Sequence, residues 1–504
     1  MSHSKISFTF LFLLITQFLI AQEITQTIRG TIVDKDAKIP LIGANVFIQN
    51  GQTQKGITTD LDGNFRIDEV TVGRHNLQIT YLGYEPLVLN NVLVISGKEL
   101  VLNLEMQESA TDLAVATVKA KHDKTKTLNE MATVSARSFT VEETARYASS
   151  FFDPARMAQN FAGVTTGASD DLFNEIIIRG NSPRGVLWRL EGIEIPNPNH
   201  FSSMGNSGGA ISMLSSSTLS NSDFYTGAFP SEFGNATSGV FDLNMRNGNN
   251  EQREYAFMFG LLGIEGAMEG PFSKTGRASY LVNFRYSTLA AMQAMGISPT
   301  GDVLPIYSDL SFKINVPTEK AGTFALFGLG GKNSADYHPE PDSSKWTPDD
   351  DEWGFNEHQQ MGAIGLSHRY LLSDDSYLRT VILASHESSD DDEYWLDVEN
   401  NYKKNEDSRS NLANNSLRIS STFTKKYNAR NTLRTGVIFS QINFKFKYDE
   451  QNPFTSVPDL IRYFDNTGET GFIQAFAHWK HRFNDKWTFN GGLHYSQMTL
   501  NNNF

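Results

Sequence analysis

The side chains able to do chemistry in this chain are eleven histidines and 57 carboxylates, with no cysteine at all. A zinc hydrolase would show a His with Glu three residues later, or a His-Glu-x-x-His helix, and none of the histidines has either pattern. No Gly-x-Ser-x-Gly elbow offers a nucleophilic serine, and no Walker-type Gly-rich loop offers a phosphate cradle. Without cysteine there are no disulfides, no thiolate metal sites and no acylated N-terminal cysteine to anchor a lipoprotein. Asp60 and Asp62 precede Gly63-Asn64, where short acidic side chains suit a turn better than a calcium ion. No catalytic residue, no metal ligand and no cofactor is expected, and an enzyme is the least supported class.

The charge is uneven. The net value of −14 is held by two segments, 336–357 with eight acidic residues and one Lys, and 387–408 with nine and two. The balanced remainder argues against a nucleic-acid face. Both acidic segments read as solvated loops that could attract a cationic ligand or bridge divalent ions to lipopolysaccharide. Trp346, Trp353 and Trp395 lie in or beside them, where a ring can stack on a sugar or anchor at an interface.

Three isoleucines, Ile176, Ile177 and Ile178, form a short buried strand that runs into Arg179-Gly180, and Val186–Ile195 follows as a second strand carrying Glu191 and Gly192. With the Gly- and Ser-rich run 205–241, this stretch resembles the plug domain of TonB-dependent outer-membrane receptors over about 70 residues. The resemblance makes Ile177, Ile178, Arg179, Gly180, Glu191 and Gly192 the plug signature. It implies that Arg179, Arg184, Arg189 and Arg246 make polar contacts between plug and barrel wall. It also makes loop 196–209 a plug apex, with Asn197, Asn199, His200 and Phe201 as ligand-facing candidates.

The flanking elements fit. Residues 1–21 carry Lys5 and a fifteen-residue apolar run ending at Ala21, too short to span a bilayer as a helix and suited to a cleaved signal peptide. Residues 26–107 alternate at Val46/Ile48, Phe65/Ile67 and Leu77/Ile79/Tyr81 between Gly- and Asp-rich turns, predicting a small β-sandwich. Pro40–Ala44, Thr59–Phe65 and Tyr81–Tyr84 resemble the carboxypeptidase regulatory-like domain, read here as non-catalytic. Residues 110–120 are similar to a degenerate TonB box, with Asp112, Leu113, Ala114, Val115, Ala116, Thr117 and Val118 able to add as a strand to a partner's sheet edge. A linker, 121–135, leads to the plug, 136–250, which the resemblance makes a mixed α/β domain.

From 253 to 504 the pattern is hairpins. Tyr280, Val282, Phe284 and Tyr286 alternate with Asn283, Arg285 and Ser287. Ile473, Ala475, Ala477 and Trp479 alternate with Gln474, His478 and Lys480. Trp487, Phe489, Leu493 and Tyr495 alternate with Asn490 and His494. Lipid-out, water-in alternation of this kind needs no long apolar run. About eleven strands are predicted, joined by short turns near 271–277, 317–321, 373–376, 425–429 and 483–485 and by long loops near 288–307, 331–360, 387–410 and 448–468. Plugged outer-membrane transporters have about 22 strands, so the sequence reads as the N-terminal half of a larger barrel, truncated within it.

The fold class expected is therefore all-β dominated: a sandwich, a plug and about eleven antiparallel barrel strands. What the resemblance implies is active import of a scarce ligand (an iron chelate, vitamin, glycan or peptide) across the outer membrane. The TonB energy-transducing complex, outer-membrane lipid and a possible surface lipoprotein are the expected partners, and nucleic acid is not. The alternative is an adhesin or receptor subunit that partners a surface lipoprotein and moves nothing, while a passive porin fits poorly with a plug of over 100 residues.

Overall fold

The computed structural model describes residues 23–50, 53–110, 127–129, 131–132, 134–139, 153–167, 174–260, 263–289, 303–340, 352–452, 459–484 and 486–500, with isolated positions between. The signal-peptide segment and Asp112–Val118 of the candidate TonB box lie outside the described residues. The chain divides into two compact units, Met1–His122 and Asp123–Phe504.

The first unit is a two-sheet sandwich. Thr25–Asp34 lies between Asn64–Thr71 and Leu100–Met106 in one sheet, and the other runs Thr53–Thr58, Asn45–Asn50, Gly73–Thr80, Leu87–Val94. The alternating residues meet between the sheets: Ile28, Ile32, Val46, Phe65, Leu77 and Ile79 are all buried. Each such side chain stabilises the sandwich by about 1.5–3 kcal/mol. Asp60 closes a turn, accepting from the backbone N–H groups of Asp62 at 2.9 Å and Asn64 at 2.8 Å. Gly63 completes that turn at φ +74°, where a Cβ would also stand 2.6 Å from the Ile32 carbonyl oxygen.

The second unit holds an eleven-stranded antiparallel sheet with a smaller β-domain seated on one face. The strands are Glu254–Phe259, Gly263–Pro271, Ser279–Ser287, Leu304–Pro317, Thr323–Tyr337, Trp353–Ser373, Ser376–Asp397, Lys403–Asn428, Asn431–Gln451, Leu460–Arg482 and Thr488–Leu500, each paired with its sequence neighbours. Their outer face is apolar where the alternation placed it: Phe284, Val437, Ile473, Leu493 and Tyr495 are exposed, while Asn283, Gln474, His478 and Lys480 are buried on the inner face.

The loop lengths differ from those expected. Strands continue through much of the acidic segments, so that 387–410 is mostly hairpin, turning at 398–402, and 331–360 contracts to a connection between Tyr337 and Trp353. The physical reason is that the sheet outlasts the bilayer. A membrane-crossing strand needs only about 9–11 residues, whereas Ser376–Asp397 has 22. On its outer face, Ile382 and Ala384 give way to His386, Ser388, Asp390 and Asp392. Beyond the lipid the ladder hydrogen bonds persist, but nothing requires apolar residues.

Among the described residues the seated domain shares no ladder with the large sheet. Its main sheet runs Ile193–Glu194, Val186–Leu190, Gly239–Leu243, Ser222–Tyr225, Ala136–Phe139, and two small hairpins pair Val164–Thr166 with Ile176–Ile178 and Asn199–His200 with Ile211–Ser212. Trp188 stacks on Phe241 at 4.3 Å, a pair that contributes about 0.5–1.5 kcal/mol beyond area burial. Helix among the described residues is confined to single turns and the five-residue Pro154–Ala158, capped by Asp153. Its core runs on into the wall through Phe327, Leu329, Met361, Ala363, Val381 and Leu383.

Candidate functional site

The segment expected as one strand, Val186–Ile195, is a tight hairpin. Arg189 pairs with Glu194 and Leu190 with Ile193, leaving Glu191-Gly192 as a two-residue turn with φ of +52° and +80°. Positive φ at both positions matches the twist of a hairpin, and glycine bears it freely. Glutamate does not, at a cost on the order of 1 kcal/mol. The strained turn is pinned by the wall: Lys313 Nζ lies 2.6 Å from Glu191 Oε1 and donates to the Met245 carbonyl at 2.8 Å, while Arg379 donates to the Glu191 carbonyl at 2.8 Å and to Oε2 at 3.2 Å. Burial pushes the Glu191 carboxyl up, but the Lys313 and Arg379 cations outweigh it and hold it below the ordinary glutamate value.

Similar joints follow along the short-turn side of the wall. Glu232 lies 3.0 Å from Arg434 of the wall and 3.6 Å from Arg189, and it accepts from Asn129 at 2.8 Å. Burial raises its carboxyl, yet Arg434 and Arg189 bring it down to about 2. Arg246 reaches Glu269 of the wall at 2.5 Å, and Ser231 bonds His478 at 3.1 Å. Wall residues Glu269, Lys313, Arg379 and Arg434 each stand within a few residues of a short turn, so these joints form one level.

A second level lies farther from those turns. His200 is fully buried, with Nε2 3.1 Å from Asp309 and Nδ1 3.2 Å from Asn333, and Arg285 braces Asp309 at 2.7 Å. Burial lowers the His200 pKa, and the Asp309 carboxylate only partly opposes it. Gly331 makes the approach possible, since a Cβ there would stand 2.5 Å from His200 Cε1. Ser202 N–H donates to Gln359 of the wall at 2.9 Å. A cleft opens here between loop 196–209 and the wall, lined by Asn197, Asn199, Met204, Gln359, Glu387 and Ser389.

The sequence-predicted residues divide accordingly. Of the four arginines, Arg246 contacts the wall directly and Arg189 acts through Glu232. Arg179, at φ +52°, instead donates to Ser135 and Thr226 inside the seated domain at 3.2 Å, because its strand lies in the hairpin with Val164–Thr166, away from the wall. Arg184 sits in the single turn Pro183–Gly185 and makes no ion pair or hydrogen bond to the wall among the described residues. Ile177 and Ile178 lie in that first hairpin, and Gly180 follows at φ +82°. Asn197 and Asn199 line the cleft, although Asn199 is mostly engaged by Asn174 at 2.8 Å and Asn197 at 2.5 Å. His200 is a buried joint rather than a ligand-facing group, and the half-buried Phe201 ring lies tilted to it, 6.2 Å between centroids, with φ +55°. Lys313, Arg379, Arg434, Asp309 and Glu232 were not singled out from sequence. The available signal was a charged residue at an inward position of an alternating strand, which also fits contact with water.

Comparison with known proteins agrees with this architecture. Residues 27–107 match the carboxypeptidase regulatory-like domain. The TonB-dependent transporter Oar of Myxococcus xanthus is 24% identical over 235 residues, covering 45% of this chain and 21% of that protein. Among solved structures, the outer membrane transporter YddB from Escherichia coli superposes with a TM-score of 0.50 at 12% identity, covering 72% of this chain and 56% of that one. The ferric-catecholate import receptor Fiu from E. coli K12 gives 0.49 at 11%, covering 72% and 59%. The chain spans about a fifth of the length of its curated relative and somewhat over half of the solved ones. What the superposition shows is a shared fold, a curved wall of antiparallel strands with a folded domain against its inner face. The chain is thus similar to TonB-dependent transporters, in sequence over 235 residues and in fold over most of its length, and its residues 27–107 resemble a carboxypeptidase regulatory-like domain.

Proposed function

We propose that the chain forms the plug and part of the barrel of a transporter that imports a scarce ligand into the periplasm, with the domain seated at 136–250 as the plug. The carrying observation is that among the described residues this domain shares no ladder with the wall and is held to it by side-chain contacts, many of them ion pairs, so it can shift without unfolding the barrel. A lumen of about 22 strands would leak unless filled. Ligand settles above loop 196–209, and a pull on the chain N-terminal to the plug rearranges the joints. The energy comes from the TonB complex, which adds Asp112–Val118 as a strand to its own sheet.

Growth of a gene-deletion strain on a panel of sole iron, carbon and nitrogen sources identifies the nutrient. Deleting Thr111–Lys119 from the receptor then abolishes its uptake while surface expression stays normal. Undiminished uptake by that variant rejects the reading and favours a binding subunit working beside a surface lipoprotein.

A further inference from the structure

Above the plug, the inner face of the wall carries two strips of different character. Glu357 and Asp391 stand directly opposite each other in the ladder between Trp353–Ser373 and Ser376–Asp397. They share the face of Gln359, which bonds the plug at Ser202. Like charges so placed weaken a sheet. Glu387 lies on the same face. Glu357 accepts from Gln359, Glu387 from Asn414 at 2.9 Å, and Asp391 from Ser389 and Ser410, each at 2.9 Å. Among the described residues no lysine or arginine pairs with any of the three. Two strands along, the face turns aromatic: Phe444, Phe446 and Tyr448 stand opposite Asn414, Leu412 and Ser410. Phe444 and Phe446 stack at 5.3 Å, and Tyr448 stacks on Phe464 of the next strand at 5.7 Å.

We propose that this inner face docks an extended cationic peptide, its lysine or arginine side chains on the Glu357/Asp391/Glu387 strip and its apolar side chains on the Phe444/Phe446/Tyr448 lane. Import of the peptide rests on the function proposed above, whereas docking does not. Charge selects the occupant, because a cation relieves an opposed carboxylate pair that the wall leaves unneutralised. Spacing selects an extended chain. Neighbouring strands lie about 4.8 Å apart, so a backbone lying along Lys403–Asn428 has one strip within side-chain reach on either side, and side chains on one edge of ligand or wall recur every ~6.8 Å. The neutral strip between, Ser410, Leu412 and Asn414, suits a polar backbone.

Calorimetric titration of the detergent-solubilised receptor with end-capped nonapeptides alternating lysine with leucine or phenylalanine tests this. Saturable binding is expected, weakened at least tenfold in Glu357→Gln/Asp391→Asn and at least tenfold in Phe444→Ala/Phe446→Ala. The glutamate-for-lysine peptides should not bind. The carboxylate variant removes a repulsion and melts no lower than the parent, which separates lost binding from lost folding. Absence of binding by the parent, equal binding by both variants, equal binding of the acidic peptides, or tighter binding of a chito-oligosaccharide overturns the proposal. Peptide binding without energised uptake counts against the import reading and leaves the docking site standing.

Discussion

The lower and upper levels of the lumen treat buried or half-buried carboxylates in opposite ways. On the short-turn side, Glu191, Glu232 and Glu269 each meet lysine or arginine within 2.5–3.0 Å across the plug–wall boundary. Higher up, Glu357, Glu387 and Asp391 have only amide and hydroxyl donors among the described residues. A matched boundary holds its two sides together. An unmatched face has electrostatic free energy to release when something else arrives. The same residue type thus does structural work at one level and receives at the other, and only the surroundings distinguish them.

The contrast breaks most sharply at Glu191. Glu191→Ala leaves Lys313 buried without its counterion, and removing one partner of such a pair costs about 3–5 kcal/mol. Limited proteolysis should then cut the plug under conditions where the parent protein resists. A parent-like digestion pattern would mean that the joints do not seat it.

Acid offers a second approach. The Glu232 carboxyl sits at about 2 in the folded protein against 4.5 ordinarily, so the unfolded or unseated state binds the proton more tightly. Its contribution, on the order of 3 kcal/mol, is present above pH 4.5 and disappears as pH falls toward 2. Protease protection of the plug should therefore hold from pH 7 to about 5 and decline below that, and Glu232→Gln should flatten this part of the profile.

At the upper level, Glu357→Gln should raise stability by about 0.2–1 kcal/mol through relief of the opposed pair, readable as a small rise in melting temperature. A fall of that size would mean that the carboxylates are matched after all. Least of all should follow from Arg409→Ala on the outer face. Its pairs with Asp392 and Glu406 are roughly half exposed, and such surface pairs contribute about 0–1 kcal/mol.

Much of the architecture was legible because its physical demands repeat along the chain. The sandwich core at Val46/Ile48 and Leu77/Ile79, and the lipid-facing set Phe284/Tyr286 and Ile473/Trp479, follow from a period of two imposed by burial or by lipid. Where neither acts, the signal fails. Asp390, Asp391, Asp392 and Glu393 read as a loop because a strand outside the bilayer can be acidic on both faces, though the ladder continues through them. The joints were harder still. Glu191 is one residue in a turn, and Lys313 looks from sequence like any water-facing position. Each depends on a partner more than 100 residues away. Arg179 shows the converse, a residue singled out for the wall that serves its own domain.

The height of the wall bears on kinetics. Some twelve residues of Ser376–Asp397 rise past the apolar band, roughly 30 Å after allowing for strand tilt. In the closed barrel of the transporter proposed above, a molecule that lets go of one contact inside such a rim meets the opposite side before it meets open water, so local concentration stays high and rebinding competes with escape. Retention can then arise from many brief encounters, each weak enough to be surrendered if the seated domain shifts as proposed above.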